Sequence, residues 1–198
     1  MRAFLGIGLP AGVRDAIALA TAPVRGLHAP VAWTAPENLH ITMNFLGEIL
    51  PERVALVERS MRVVVSGIGP FSLAAEGGGV FPGTRNPRVF WVGFLEPLEL
   101  VRQLQQNMGN ALTGAGFPLE DRPFHPHITV GRTRGVLPPA WGERFVHALS
   151  GKRFGIVPVS SFTLYESRLG PGGATYIPLC DFRLAGSGKR EIREEKEP

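Results

Sequence analysis

Two short runs of this chain repeat one chemical pattern. His40-Ile41-Thr42 stands inside Asn38-Leu-His-Ile-Thr-Met-Asn-Phe-Leu46, and His127-Ile128-Thr129 inside Pro123-Phe-His-Pro-His-Ile-Thr-Val-Gly-Arg132. The 198 residues contain five histidines, and two of them occupy the same tripeptide. Imidazole exchanges its proton near neutral pH. A pair flanking one substrate can therefore divide the work, one ring taking a proton and the other giving one. The threonine hydroxyls are neutral donors suited to phosphate oxygens. Opening a cyclic phosphodiester needs this kit: a base for water, an acid for the departing alkoxide, and donors for the equatorial oxygens.

Such chemistry requires His and Thr to face the same way. Each motif lies in a short, largely apolar run that reads as a strand. Alternation then puts His40 and Thr42 on one face with Ile41 on the other, and treats His127, Ile128 and Thr129 alike. Phe45 and Arg132 each follow their histidine by five residues, offering a ring to stack on a nucleoside and a guanidinium to fork phosphate oxygens. In a regular strand that offset points both away from the histidine. Their contact with substrate therefore requires a bulge or a strong local twist.

The remaining chain supplies elements to hold these strands. Arg2–Leu9 reads as a strand, and an Ala-rich helix follows to about Arg25, with Pro23 either kinking it or stopping it near Ala22. Val31–Thr34 is a short extended piece. A second helix runs from Pro51 to about Ser66, a third over about Glu96–Ala115, and a short one opens at Pro138/Pro139 with Trp141, Phe145 and Leu149 inward. Strands are expected at Phe71–Glu76 and Arg88–Phe94, joined by a loop over Gly77–Pro87, and at about Gly155–Ser167 and Ala174–Leu184. Helix, His-Ile-Thr strand, Pro-opened helix and strand pair occur twice in this order. The fold class expected is α+β: a bilobal, pseudo-twofold duplication with two mainly antiparallel sheets flanked by helices around a central cleft. One such domain spans residues 1–184, and residues 185–198 form a charged, disordered tail.

Bulk numbers agree with one soluble domain. The chain is 44% hydrophobic with net charge +4 and a pI near 9.8, a mild preference for polyanionic partners. The single cysteine, Cys180, reads as a buried thiol and excludes an internal disulfide. Pro10, Arg14 and Asp15 interrupt the first apolar run too early for a signal peptide. No stretch is long enough to span a bilayer, so the expected location is the cytoplasm, with no membrane partner.

With these residues in view, the sequence resembles the two-histidine (2H) phosphoesterase superfamily, above all the RNA 2′,3′-cyclic phosphodiesterases, also called 2′–5′ RNA ligases. The supporting segments are Arg2–Leu9, Asn38–Gly47, Gly79-Val-Phe-Pro82, Arg88–Gly93, Phe124–Arg132 and Leu164–Pro171. Two His-x-Thr motifs in this order, with these flanks, are a specific signal. The resemblance implies hydrolysis of RNA 2′,3′-cyclic phosphate ends to 2′-phosphates, with reversible 2′–5′ joining, at a metal-free site; no cofactor is expected, and the expected state is a monomer. It assigns His40 as general acid, His127 as general base, Thr42, Thr129 and Arg132 to the phosphate, and Phe45 to the nucleoside. The second motif continues Val-Gly-Arg where many relatives have Leu-Ala-Arg.

Other readings compete. The same site could open small cyclic nucleotides, or the chain could be a non-catalytic RNA-binding module. His125-Pro-His127 has no acidic or cysteine ligand at a usual metal-site spacing. The Arg85/Arg88 and Arg132/Arg134 pairs either track RNA backbone or are solvated loop residues. The three tryptophans read as core, Trp33 being the best outside candidate for base stacking.

Overall fold

The computed structural model describes residues 1–118, 123–170 and 173–186. Nine strands are described: β1 (Arg2–Gly8), β2 (Val31–Trp33), β3 (His40–Glu48), β4 (Phe71–Phe81), β5 (Val89–Phe94), β6 (Ile128–Thr133), β7 (Arg153–Val159), β8 (Ser161–Gly170) and β9 (Gly173–Arg183). Between them lie α1 (Ala11–Arg25), α2 (Val54–Val65), α3 (Glu99–Gly114) and α4 (Trp141–Leu149). Every strand pairing is antiparallel, so the fold is α+β.

The strand order is β7-β4-β5-β6-β3-β1-β8-β9, with β2 paired to β6. The two expected sheets are thus arms of one continuous sheet. They meet between β6 and β3 at a single residue pair, Ile41–Ile128. Both isoleucines are fully buried, so their strand neighbours His40, Thr42 and Thr129 turn to the other face. The central junction therefore sets the two motifs side by side.

Helices cover the arms in a crossed arrangement. α2 and α3 pack together, α3 against β3 and α2 against β9, on the His40 arm. α1 and α4 pack on β7 and β4 of the His127 arm. Each arm therefore mixes early and late chain, and the spatial lobes are not the sequence halves. One cause is the expected strand Gly155–Ser167, which bends at Ser160 and splits in two. Its first part pairs with β4 and its second with β1, on opposite arms of the sheet.

The first helix ends at Arg25 as expected, while the Gly77–Pro87 loop changes locally. α1 continues through Pro23 to Arg25, because Val13, Ile17, Thr21 and Val24 stay buried along one stripe. The expected Gly77–Pro87 loop begins later, since β4 runs on to Phe81 past a register shift at Gly77, whose φ is 67°. A Cβ on Gly79 would come within 2.2 Å of the Trp91 indole, so this position is glycine because the indole occupies the space. Cys180 is half-buried rather than buried. Among the described residues no helix is long and apolar enough to cross a membrane. The expected tail falls mostly on residues 187–198, which lie outside the described residues.

Candidate active site

The two histidines are anchored in the same way. His40 Nδ1 donates to the Asn38 carbonyl at 2.6 Å, and His127 Nδ1 donates to the His125 carbonyl at 2.7 Å. A carbonyl oxygen can only accept, so the proton of each neutral ring sits on Nδ1. Nε2 is then the working nitrogen in both. At His40 it accepts from the Thr42 hydroxyl at 2.9 Å. Asn38 is itself tied down, its side-chain amide donating to the Ala174 carbonyl on β9 at 2.8 Å.

Burial holds both imidazoles below their ordinary value of 6.5. The bonds to Asn38 and His125 carbonyls oppose that shift, since they favour the charged ring. For His40 the nearby positive charges of His127 and Arg132 lower it further. For His127 those charges are Arg132 and His125. Arg132 thus acts on both rings, which locates all three groups in one electrostatic neighbourhood.

The strands also answer how Phe45 and Arg132 reach the histidine face. In β3, Thr42 opposes Gly6 while Asn44 opposes Leu5, leaving Met43 as an extra residue. In β6, Thr129 opposes Trp91 while Gly131 opposes Phe90, leaving Val130 as an extra residue. Each bulge lies three residues after its histidine. Two consecutive buried residues follow from it, Met43-Asn44 and Val130-Gly131, and alternation resumes one step out of phase. Phe45 and Arg132 consequently emerge on the same side as His40 and His127, and both are exposed. Gly131 belongs to this arrangement, because an added Cβ would meet Val31 and Trp33 at 2.8 Å.

Aromatic rings wall the site on both arms. On the His40 arm, Phe4 lies 4.9 Å from the imidazole centroid and Tyr176 meets it edge-on at 5.0 Å. Phe4 stacks with Phe45 and Tyr165, and Arg2 lies over the Phe45 ring. On the His127 arm, Phe81 meets the imidazole edge-on at 5.3 Å, with the Trp91 ring tilted against Phe81 at 5.1 Å. Burial raises the Tyr176 pKa while the charges of Arg132 and Arg2 oppose the rise, and Tyr176 lines the recess beside His40.

Trp33 is elsewhere. It packs with Phe90 and Phe145 on the helix side of the His127 arm, with Arg25 over its ring, so the stacking expectation for it is overturned. Trp91 is the tryptophan that turns to the cleft. Sequence reasoning missed Tyr176, Phe4 and Phe81 as wall residues, because each reaches its histidine only through the remote pairings of β1 with β3 and β8 and of β5 with β6. Among the described residues no three His, Cys, Asp or Glu side chains gather as a metal-binding group.

This arrangement places two imidazoles, two threonines and one guanidinium on one face of the sheet where its arms meet, a set that suits a phosphodiester. The family model described as LigT-like phosphoesterase matches residues 7–91 and 95–176. An RNA 2′,3′-cyclic phosphodiesterase of Methanothermobacter thermautotrophicus is 33% identical over 184 residues, covering 93% of this chain and 99% of its own. A protein of the same name from Archaeoglobus fulgidus is 35% identical over 182 residues, covering 92% and 99%. The crystal structure of TT0787 from Thermus thermophilus superposes with a TM-score of 0.80 at 29% identity, covering 95% of this chain and all of that one. Escherichia coli LigT complexed with 3′-AMP superposes with a TM-score of 0.68 at 29% identity, covering 92% and 97%.

Proposed function

Because this chain belongs to the LigT-like phosphoesterases of the two-histidine superfamily, we propose that it hydrolyses RNA 2′,3′-cyclic phosphate ends to 2′-phosphates. The observation that carries this reading is the Ile41–Ile128 junction, which seats two identically anchored histidines beside each other. Neutral His127 Nε2 takes a proton from water, whose oxygen attacks phosphorus. The P–O3′ bond breaks opposite the attack, and protonated His40 gives its Nε2 proton to O3′. Thr42, Thr129 and Arg132 hold the phosphate oxygens as the geometry inverts, and the nucleoside lies beside Phe45.

The protonation states follow from charge. In the empty cleft burial keeps both rings neutral. A bound phosphate anion favours an imidazolium, which supplies the acid. The Arg132 guanidinium opposes protonation of both rings, and at His127, five residues away on the same strand, it leads the nearby charges, in keeping with that ring as the base. The whole kit lies on one chain, in keeping with a monomer.

The test is an RNA ending in a 2′,3′-cyclic phosphate, incubated with the protein in EDTA. Conversion to a 2′-phosphate is expected. A 3′-phosphate product would overturn the assignment of O3′ as the leaving group. Turnover confined to small cyclic nucleotides would move the substrate class instead.

A further inference from the structure

The outer part of the β8–β9 hairpin leaves β1 behind. β8 pairs with β1 only as far as Glu166, opposite Ala3, while its ladder with β9 runs on to Ser167 opposite Tyr176 and Leu169 opposite Ala174. His40 stands opposite Gly8, at the far end of β1. In a flat sheet that register would leave Ala174 about 26 Å along the strands from the histidine, at roughly 3.3 Å per residue. The hairpin instead curls across the face that carries the histidines. Tyr176 meets the His40 ring edge-on at 5.0 Å, and with Tyr165 it lines a recess of about 160 Å³ against Asn38, Leu39 and His40.

One bond fastens it there. The Asn38 side-chain amide donates to the Ala174 carbonyl at 2.8 Å, joining residues 136 apart in the chain. Asn38 ends the 3₁₀ turn Pro36–Asn38, where its backbone N–H donates to the Ala35 carbonyl at 2.9 Å. Its own carbonyl takes the His40 Nδ1 proton. Backbone N–H, carbonyl and side-chain amide of Asn38 are thus all engaged. They close a circuit that runs from imidazole to Asn38, from Asn38 to β9, and from β9 back to the imidazole through Tyr176. His127 has no such circuit. Its anchor, the His125 carbonyl, belongs to an exposed residue whose side chain makes no hydrogen bond among the described residues.

We propose that Asn38 is a positioning residue for the acid, its bond to Ala174 strapping the β8–β9 hairpin against His40 so that Nε2 points at the departing oxygen. This rests on the roles of His40 and His127 given above. In-line displacement asks different things of the two rings. Water is small and turns to meet the base. O3′ is fixed to the ribose, so the acid must stand where that oxygen departs, and a small misplacement is costly. The strap lies on the arm where placement matters more.

The experiment compares wild type with Asn38→Ala and Asn38→Asp on two substrates. One is an RNA ending in a 2′,3′-cyclic phosphate. The other is 3′-deoxyadenosine 2′-(4-nitrophenyl phosphate), whose leaving group needs no acid. On the cyclic phosphate Asn38→Ala should lower kcat by about 30-fold, part of the roughly 10²–10⁴-fold that an acid contributes, with KM within about twofold. On the nitrophenyl ester its rate should stay within about threefold, which also shows a folded protein with His127 at work. Asn38→Asp keeps the shape, loses the donor, and brings a carboxylate that favours protonated His40. It should lose the cyclic-phosphate rate as Asn38→Ala does. NMR adds a reading free of turnover. The His40 Nδ1 proton should exchange with water at least about tenfold faster in Asn38→Ala, with the His127 Nδ1 proton unchanged.

Equal losses on both substrates would make Asn38 a general support of the site and overturn the proposal. So would an unchanged kcat on the cyclic phosphate. Recovery in Asn38→Asp would mean that proton affinity, rather than placement, limits the acid, and likewise overturns it. If wild type opened no cyclic phosphate, the functional reading would fall instead. The two Nδ1 exchange rates would then still decide whether Asn38 holds His40, and an unchanged His40 rate would overturn the strap by itself.

Discussion

The two His-x-Thr strands share a tripeptide, an Nδ1 anchor and a bulge, yet they sit in different surroundings. The common bulge aligns them residue by residue. Thr42 faces Gly6 across the ladder where Thr129 faces Trp91, and Phe45 faces Phe4 where Arg132 faces Val89. On the His40 arm the large rings lie in the outer row, and the imidazole lies against Gly6, whose added Cβ would come within 3.3 Å of it. On the His127 arm the large ring, Trp91, lies in the inner row, and the glycine has moved one strand outward to Gly79. Repetition therefore placed two identically anchored imidazoles at the junction of the arms. The flanking strands, with Gly6 against one motif and Trp91 against the other, and the motif strands' own fifth positions, Phe45 and Arg132, made their surroundings different.

The sharpest way to break this comparison is to remove each ring. His40→Ala and His127→Ala should each lower kcat on a cyclic-phosphate RNA by about 10²–10⁴-fold, and the double variant little further. An activated ester with a nitrophenolate leaving group needs no acid. On it His40→Ala should recover most of its rate while His127→Ala does not. Equal recovery of both, read by nitrophenolate absorbance, would mean that the two rings do not divide the work as assigned.

Next in size are the fifth positions. Arg132→Lys keeps charge but loses the planar fork, and kcat/KM should fall by about 10²-fold. Phe45→Leu at the equivalent site should raise KM several-fold and leave kcat nearly intact, since a stacking ring binds ground and transition states alike. Steady-state kinetics on one substrate separates the two.

Histidine titration followed by NMR gives a smaller but direct reading. Both rings should titrate below 6.5 in the free protein, because burial penalises the charged form. The unfolded chain then binds more protons than the folded one, so these groups withdraw stability as pH falls through about 6.5, and thermal melts should show it. Bound phosphate should raise both, His40 further than His127. A larger rise at His127 would reverse the acid and base assignments.

The two glycines give the smallest expected effect. Gly79→Ala puts a Cβ 2.2 Å from the Trp91 indole, and Gly6→Ala finds its nearest atoms at 3.1–3.3 Å. Overpacking of the first kind should cost about 1–3 kcal/mol, and the second less. Urea melts at one pH would compare them.

The sequence alone determined much of this protein. The duplicated His-Ile-Thr, the period-2 burial around Ile41 and Ile128, and the α+β order of elements all follow from local chemistry, and local chemistry is what a linear pattern records. Tertiary structure decided the rest. Bulges at Met43 and Val130 exist only relative to partner strands, β1 and β5, that lie far away in the chain. They alone turn Phe45 and Arg132 toward the histidines. The bend at Ser160, invisible in an unbroken strand-like run, sends β7 and β8 to opposite arms. Trp33 and Trp91 look alike in sequence, and one lies under helices while the other faces the cleft. Strand register and sheet face are set by long-range pairing, so residue type and spacing named the candidate groups, and the fold chose what surrounds them.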